Sequence, residues 1–139
     1  MASKGWREGV EERTRGVEVL KPDDPSVQHL DAKIGPYNYH YILSEPKGRE
    51  PVATVLLCHG WPDLGVAWRY QIPFLTSMGM RVIAPDMLGY GRTSAPAAVE
   101  EYSFKKTTAH LKELVELVCG KGTQVVLGGH DWGGALVVS

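Results

Sequence analysis

The sequence predicts an α/β fold whose sheet is mostly parallel and begins with an antiparallel pair of strands. Three short apolar segments, each followed by a turn rich in glycine, are typical of strands buried on both faces of such a sheet. Segments with helical periodicity separate them along the chain. We predict parallel strands at residues 52–58, 81–84 and 124–127.

A charged segment precedes the sheet in the sequence, and the sheet then begins with an antiparallel hairpin. Residues 1–25 are predicted to be a solvated leader, because charged side chains dominate them and Gly and Pro interrupt them. Residues 27–34 and 37–43 are predicted strands, with Gly35-Pro36 as the turn that joins them.

Two helices are predicted between the parallel strands. Residues 67–78 carry apolar side chains at helical spacing. Residues 103–119 give the clearest helical pattern, with Ser103 as the N-cap and Gly120 directly after the last turn. The predicted buried stripe of this helix consists of Leu111, Leu114, Val115 and Val118.

The most informative motif is Gly129-His130-Asp131-Trp132-Gly133-Gly134, which directly follows an apolar run. It predicts a strand, a strained turn and the start of a helix, with Asp131 at the tip of the turn. Small residues on both sides let the helix pass close to the strand. Taken alone, the motif also fits an ordinary Gly-rich β-turn with Asp at a favoured position.

Two upstream motifs favour the first interpretation. His59-Gly60-Trp61-Pro62-Asp63 follows the predicted strand at residues 52–58 and turns sharply away from it. Residues 85–96 follow the strand at residues 81–84 and form a Gly-rich loop that ends in Pro.

In combination, these motifs resemble the α/β-hydrolase family and, within it, the epoxide hydrolases, from about Ser26 to Val138. The resemblance implies that residues 26–139 are the N-terminal half of an α/β-hydrolase domain, truncated after the nucleophile elbow. It implies that Asp131 is the nucleophile. It also implies that the backbone N–H groups of Trp61 and Trp132 form the oxyanion hole.

An Asp in the nucleophile position points to substrates with a strained or activated saturated carbon. A carboxylate with an ordinary pKa of about 4 is ionised at pH 7 but is a weak nucleophile. Epoxides and alkyl halides are suitable substrates. Attack on a small-molecule epoxide would produce an alkyl ester of Asp131, which water would hydrolyse to a diol.

The hydrolytic step needs a His oriented by an acid, and epoxide hydrolases supply lid Tyr hydroxyls that protonate the leaving oxygen. This chain lacks the lid, the acid and that His, so it is expected to be inactive alone. Neither His59, in the loop turn, nor His130, beside the nucleophile, is expected to replace the missing His.

Two alternative functions remain open. A haloalkane dehalogenase-like hydrolase would share the Asp-Trp pair, but such enzymes typically carry Asn or Glu where this chain has Trp61. A non-catalytic α/β-hydrolase fragment or binding domain is the other alternative.

Composition limits the partners. Hydrophobic residues make up 43% of the chain and the net charge is −1, so there is no basic footprint for nucleic acid. No segment approaches the roughly 20 apolar residues of a membrane span, and the N-terminus lacks the apolar core of a signal peptide. We therefore expect a cytoplasmic protein without nucleic-acid or membrane partners. The oligomeric state remains open.

Neither cofactor nor metal is expected. The glycine-rich motifs lack the remaining residues of a phosphate loop or a dinucleotide fingerprint. The five His are scattered without ligand spacing. The two cysteines, Cys58 and Cys119, are predicted to be small core residues without a disulfide between them.

Overall fold

Five strands form one mixed sheet in the computed structural model, which describes residues 2–139. The helices are α1 (Ala2–Thr14), α2 (Gln71–Ser77), α3 (Phe104–Cys119) and α4 (Trp132–Val137), and short 3₁₀ helices lie at Gly65–Trp68 and Val99–Tyr102. The strands are β1 (Gln28–Ile34), β2 (Tyr37–Ser44), β3 (Ala53–Cys58), β4 (Met80–Pro85) and β5 (Val126–Gly129).

The strand order is β1-β2-β4-β3-β5. Strand β2 pairs antiparallel with both β1 and β4, and the pairing of Ile34 with Tyr37 closes the predicted two-residue hairpin. Strand β3 pairs in parallel with β4 on one side and β5 on the other. The predicted α/β fold, with an antiparallel start and three adjacent parallel strands, is therefore confirmed.

The observed helix α2 is shorter than the helix predicted at residues 67–78. A 3₁₀ turn occupies Gly65–Trp68, and α2 begins only at Gln71. Pro73 explains the difference, because a proline lacks the N–H that a helix interior requires but is tolerated in the first turn. With the start at Gln71, Pro73 lies in that first turn.

Two other local predictions need correction. Ser103 occupies the N-cap position of α3, but its side chain makes no capping hydrogen bond. Its backbone carbonyl instead accepts the N–H of Thr107 at 3.0 Å. Strand β5 lies two residues later than predicted, and this shift brings its end to Gly129, directly before the turn that holds Asp131.

Apolar side chains are buried on both faces of the sheet. The face that packs against α3 and α4 buries residues such as Tyr39, Leu56, Ile83, Leu114 and Leu136. The opposite face, which packs against α2, buries Leu20, Ile42, Val55, Leu57, Ile72, Val82 and Ala84. The sheet therefore has a core on each side, as an α/β layer structure requires.

The leader is not solvated along its whole length. Residue 1 lies outside the described residues, and α1 occupies Ala2–Thr14. Leu20 is buried in the core on the α2 side, and its N–H donates to the carbonyl of Arg69 at 3.0 Å. The end of the leader is thus attached to the sheet layer.

Because β3, β4 and β5 are parallel, their carboxyl ends lie along one edge of the sheet, here called the carboxyl edge. The segments after these strands carry Trp61, Asp86 and Asp131, respectively. Ligands of open α/β sheets bind at this edge.

Candidate active site

Asp131 occupies the turn between β5 and α4 with φ 55° and ψ −123°. Among the described residues it is the single non-glycine with positive φ. An Asp tolerates this region better than a bulky or β-branched residue, but the conformation is still strained. The strained backbone turns the side chain away from the core, and Asp131 is exposed.

Glycines make the close packing around this turn possible. A Cβ on Gly133 would collide with the carbonyl of Cys58 and lie 2.6 Å from that of His59. A Cβ on Gly60 would lie 2.6 Å from Oδ2 of Asp131. The small residues predicted to flank the turn therefore allow α4 and the loop after β3 to approach it.

The carboxylate of Asp131 faces the loop after β3. The N–H of Trp61 donates to Oδ2 of Asp131 at 3.0 Å. Hydrogen bonds from the backbone N–H groups of Trp61 and Trp132 hold the pKa of Asp131 below its usual range, with a smaller contribution from the charge of His130. The structure thus brings the three sequence-predicted site residues together, and the Trp61 N–H donates directly to the carboxylate.

His59 belongs to the scaffold of the site. Its ring is buried, Nδ1 donates to the carbonyl of Gly60 at 2.8 Å, and Nε2 accepts the N–H of Met87 at 2.9 Å. Burial lowers its pKa, which favours the neutral ring that this pattern needs. Both nitrogens are occupied, so His59 has no free position for proton transfer. His130 is exposed and lines a cleft with Asp63 and Trp68.

A buried carboxylate at the end of β4 organises the neighbouring loops. Oδ1 of Asp86 accepts the N–H of Gly65 at 2.9 Å, and Oδ2 accepts the N–H of Arg92 at 3.1 Å. Oδ2 also lies 2.8 Å from Nδ1 of His40. These partners satisfy a group that would be costly to bury alone. Sequence reasoning missed this role, although the position of Asp86 directly after a parallel strand was a usable signal.

An open cleft of about 290 Å³ lies beside Asp131 at the carboxyl edge. Aromatic side chains form much of its wall, and we call it the aromatic cleft. Its lining residues are His59, Gly60, Met87, Leu88, Tyr90, Tyr102, Phe104, Thr107, Trp132, Gly133 and Leu136. Sequence reasoning missed this cleft as well, because no periodic pattern marks the loop residues that build it.

Two kinds of feature are absent from residues 2–139. No group of three or more His, Cys, Asp or Glu side chains there is arranged to hold a metal ion. Nor does any helix in the same part of the chain combine the length and apolar character needed to cross a bilayer.

Comparison with known proteins identifies the family. Residues 53–139 match the family model described as the alpha/beta hydrolase fold. The chain belongs to the α/β-hydrolase family. Within this family, it is 49% identical over 124 residues to the epoxide hydrolase srdG of Neurospora crassa, a match that covers 86% of this chain and 36% of that protein.

Other relatives of this α/β-hydrolase are also named epoxide hydrolases. The bifunctional epoxide hydrolase 2 of Sus scrofa is 38% identical over 135 residues, covering 91% of this chain and 23% of that protein. A solved mutant of the Vigna radiata epoxide hydrolase superposes with a TM-score of 0.72 at 32% identity, covering 81% of this chain and 33% of that one. The chain is therefore epoxide hydrolase-like, and it spans about a third or less of the length of these relatives.

Proposed function

We propose that this chain provides the nucleophilic part of an epoxide hydrolase that converts small-molecule epoxides to diols. The observation that carries the proposal is the position of Asp131, whose carboxylate stands at the tip of a strained strand-turn-helix with the N–H of Trp61 3.0 Å from Oδ2. In this proposal the turn is a nucleophile elbow, and Trp61 and Trp132 supply the oxyanion hole.

In the first step, a carboxylate oxygen of Asp131 attacks a ring carbon of the epoxide. One carbon–oxygen bond of the ring breaks, and the released oxygen takes a proton from a general acid. The lowered pKa keeps Asp131 ionised at neutral pH, so no base is needed to activate it. The Trp61 N–H holds Oδ2 and fixes the direction of the carboxylate, and in this proposal Oδ1 makes the attack.

In the second step, water attacks the carbonyl carbon of the Asp131 ester. Negative charge develops on the ester's carbonyl oxygen, which the N–H groups of Trp61 and Trp132 stabilise. The diol leaves and the carboxylate is restored. A base must take a proton from the water, and His59 cannot do so because both of its nitrogens are engaged. We therefore propose that these 139 residues do not complete the cycle by themselves.

The relatives support an epoxide over a halide as substrate. Those reported above are named epoxide hydrolases, and no observation in the structure favours a haloalkane dehalogenase. We further propose that residues 26–139 form the N-terminal half of the hydrolase domain, that residues 1–25 are its leader, and that the protein acts in the cytoplasm.

A chimeric enzyme tests this proposal. The aligned segment of the Neurospora crassa epoxide hydrolase is replaced by the matching residues of this chain, and diol release from styrene oxide is measured. We expect steady turnover that falls by about 10³-fold or more in Asp131→Asn, because a nucleophile is lost. Asp24→Asn is the control, since that exposed carboxylate lies in a local turn with Ser26. An Asp131→Asn chimera with undiminished turnover would refute the proposal.

A further inference from the structure

Two histidines on neighbouring strands form a stacked pair beside Asp86. Nδ1 of His29 on β1 lies 3.2 Å from Nε2 of His40 on β2, and the ring planes are 10° apart with their centroids at 5.3 Å. The other nitrogen of His40, Nδ1, lies 2.8 Å from Oδ2 of Asp86. His40 and Asp86 are buried, whereas His29 is half-buried. The three side chains therefore connect the surface to a buried carboxylate.

The positions of the hydrogens follow from these two contacts. An ionised carboxylate only accepts hydrogen bonds, so Nδ1 of His40 carries a hydrogen and donates it to Asp86. The Nε2 of a neutral His40 is then bare and accepts, so Nδ1 of His29 must be the donor. In the neutral pair, Nε2 of His29 is consequently bare as well. This nitrogen is available for one added proton.

One added proton can pass through the pair without movement of either ring. His29 lines an open cleft of about 210 Å³, where its Nε2 can take a proton from solvent. The hydrogen on Nδ1 of His29 can then transfer to Nε2 of His40 along their hydrogen bond. His29 is left neutral with its hydrogen on Nε2, and His40 becomes an imidazolium. The positive charge then lies beside the ionised Asp86, which favours the charged ring.

A second added proton cannot be held in the same arrangement. It would put hydrogens on both of the nitrogens that face each other, so the hydrogen bond between the rings would be lost. It would also stack two cations with their ring centroids 5.3 Å apart. Like charges this close disfavour the second charge. His29 must therefore leave His40 before both rings can be charged.

The charged groups around the pair also favour one added proton over two. Within residues 2–139, Asp86 is the single carboxylate at ion-pair distance from either ring. Asp23 of the leader and Arg92 of the loop after β4 line the cleft, and Arg92 is paired with Asp31 of β1 at 3.4 Å. The other lining residues besides the pair and Asp86 are uncharged, and they are Pro22, Ile42, Leu64, Val66 and Gly91.

We propose that His29 and His40 act as one proton-binding unit, which relays a single proton from solvent to the side of Asp86 and releases His29 when a second proton binds. The unit is a pH-sensitive latch. While it holds no more than one added proton, it fastens β1 to the carboxylate that organises the carboxyl edge, and at lower pH it opens. This role goes beyond the proposed function and does not depend on it.

Proton counting tests the shared proton in the full 139-residue chain. Potentiometric titration from pH 8 to pH 5.5, a range in which an ordinary imidazole becomes mostly protonated, measures the protons that the chain binds. The count does not require a monomer. His29→Gln keeps a side chain that can accept a hydrogen bond from a charged His40. Because His40 still binds the shared proton, we expect this variant to bind as many protons as the unchanged chain.

His130 provides the matched control, because its side chain is exposed and lies outside the pair. His130→Gln should lower the count by nearly one proton. An equal loss in His29→Gln and His130→Gln would overturn the proposal, since the two rings of the pair would then bind protons independently.

Amide hydrogen exchange tests the release of His29 without any substitution. After correction for the intrinsic pH dependence of exchange, protection of the β1 amides should fall by about tenfold or more between pH 6 and pH 4, relative to the β3 amides. In His29→Gln, which has no second proton to bind, β1 should keep its protection. Unchanged relative protection of β1 in the original chain, or the same loss in His29→Gln, would refute the latch.

Discussion

The buried imidazole of His59 connects the loop after β3 to the loop after β4, because its Nε2 accepts the N–H of Met87 at 2.9 Å. Its Nδ1 donates to the carbonyl of Gly60 at 2.8 Å. A single neutral tautomer, with hydrogen on Nδ1, can make both bonds. If Nε2 were protonated, its N–H and the N–H of Met87 would face each other as two donors, and the hydrogen bond between them would be lost.

Stability should therefore fall as the pH is lowered from 7.5 to 5.5. Burial lowers the pKa of His59 in the folded chain from its usual value of 6.5. Below pH 6.5 the unfolded chain thus binds more protons than the folded chain, and acid favours unfolding. Urea unfolding at several pH values should show this slope. His59→Asn should flatten it, and an unchanged slope in that variant would contradict the prediction.

The two glycines at the start of α4 should respond differently to a methyl group. A Cβ on Gly133 meets the carbonyl of Cys58, whereas a Cβ on Gly134 has its nearest contact at 3.5 Å. We expect Gly133→Ala to destabilise the chain by about 3 kcal/mol or more, since backbone must move. Gly134→Ala should be neutral or stabilising by up to about 1 kcal/mol. Thermal melts of both variants test this, and similar melting temperatures would count against the described contact.

The 139-residue chain should not turn over epoxides. Both ring nitrogens of the buried His59 are engaged, so this ring has no position free to take a proton from water. We therefore expect no steady diol release and at most one slow alkylation of Asp131 by an activated styrene-type epoxide. Mass spectrometry of the peptide that contains Asp131 detects any adduct. Because the pKa of Asp131 is lowered, the yield of an adduct should not decrease between pH 8 and pH 5. Many equivalents of diol, abolished in Asp131→Asn, would contradict this expectation.

The outer edge of β5 should cause self-association of this polypeptide. Strand β5 is the last in the order of the described sheet, and Val126 on it is exposed to 57%. Unpaired apolar edges promote pairing between chains. Sedimentation velocity should show association that Val126→Lys reduces. Val99→Lys, at an exposed position in the 3₁₀ turn before α3, should have no such effect. A monodisperse monomer with a cooperative thermal transition would refute the prediction.

Local patterns in the sequence were sufficient to predict the three parallel strands and the proximity of the candidate site residues. Apolar runs marked β3, β4 and β5, and parallel strands necessarily end at one edge, so Trp61 and Asp131 were expected to be neighbours. The distance of 3.0 Å between the Trp61 nitrogen and Oδ2 of Asp131 agrees with that expectation. The catalytic roles of these residues remain predictions.

Features that depend on distant contacts were not predictable in this way. Neighbouring residues of β2 point to opposite faces of the sheet, yet both Tyr39 and His40 are buried, because other parts of the chain cover both faces. The partners of Asp86 come from β2 and from two loops, and no local pattern marks such a set. The aromatic cleft likewise joins residues that are close together only in the folded chain.

The carboxylate of Asp86 binds three segments of the chain and so couples their positions at the carboxyl edge. The segment after Trp61, the loop after β4 and strand β2 each give a donor to the same carboxylate. A change in the length or conformation of one segment is therefore transmitted to the others, including the one that positions the Trp61 amide. Engineering of either loop should consequently treat the two as one module, because neither can be redesigned independently.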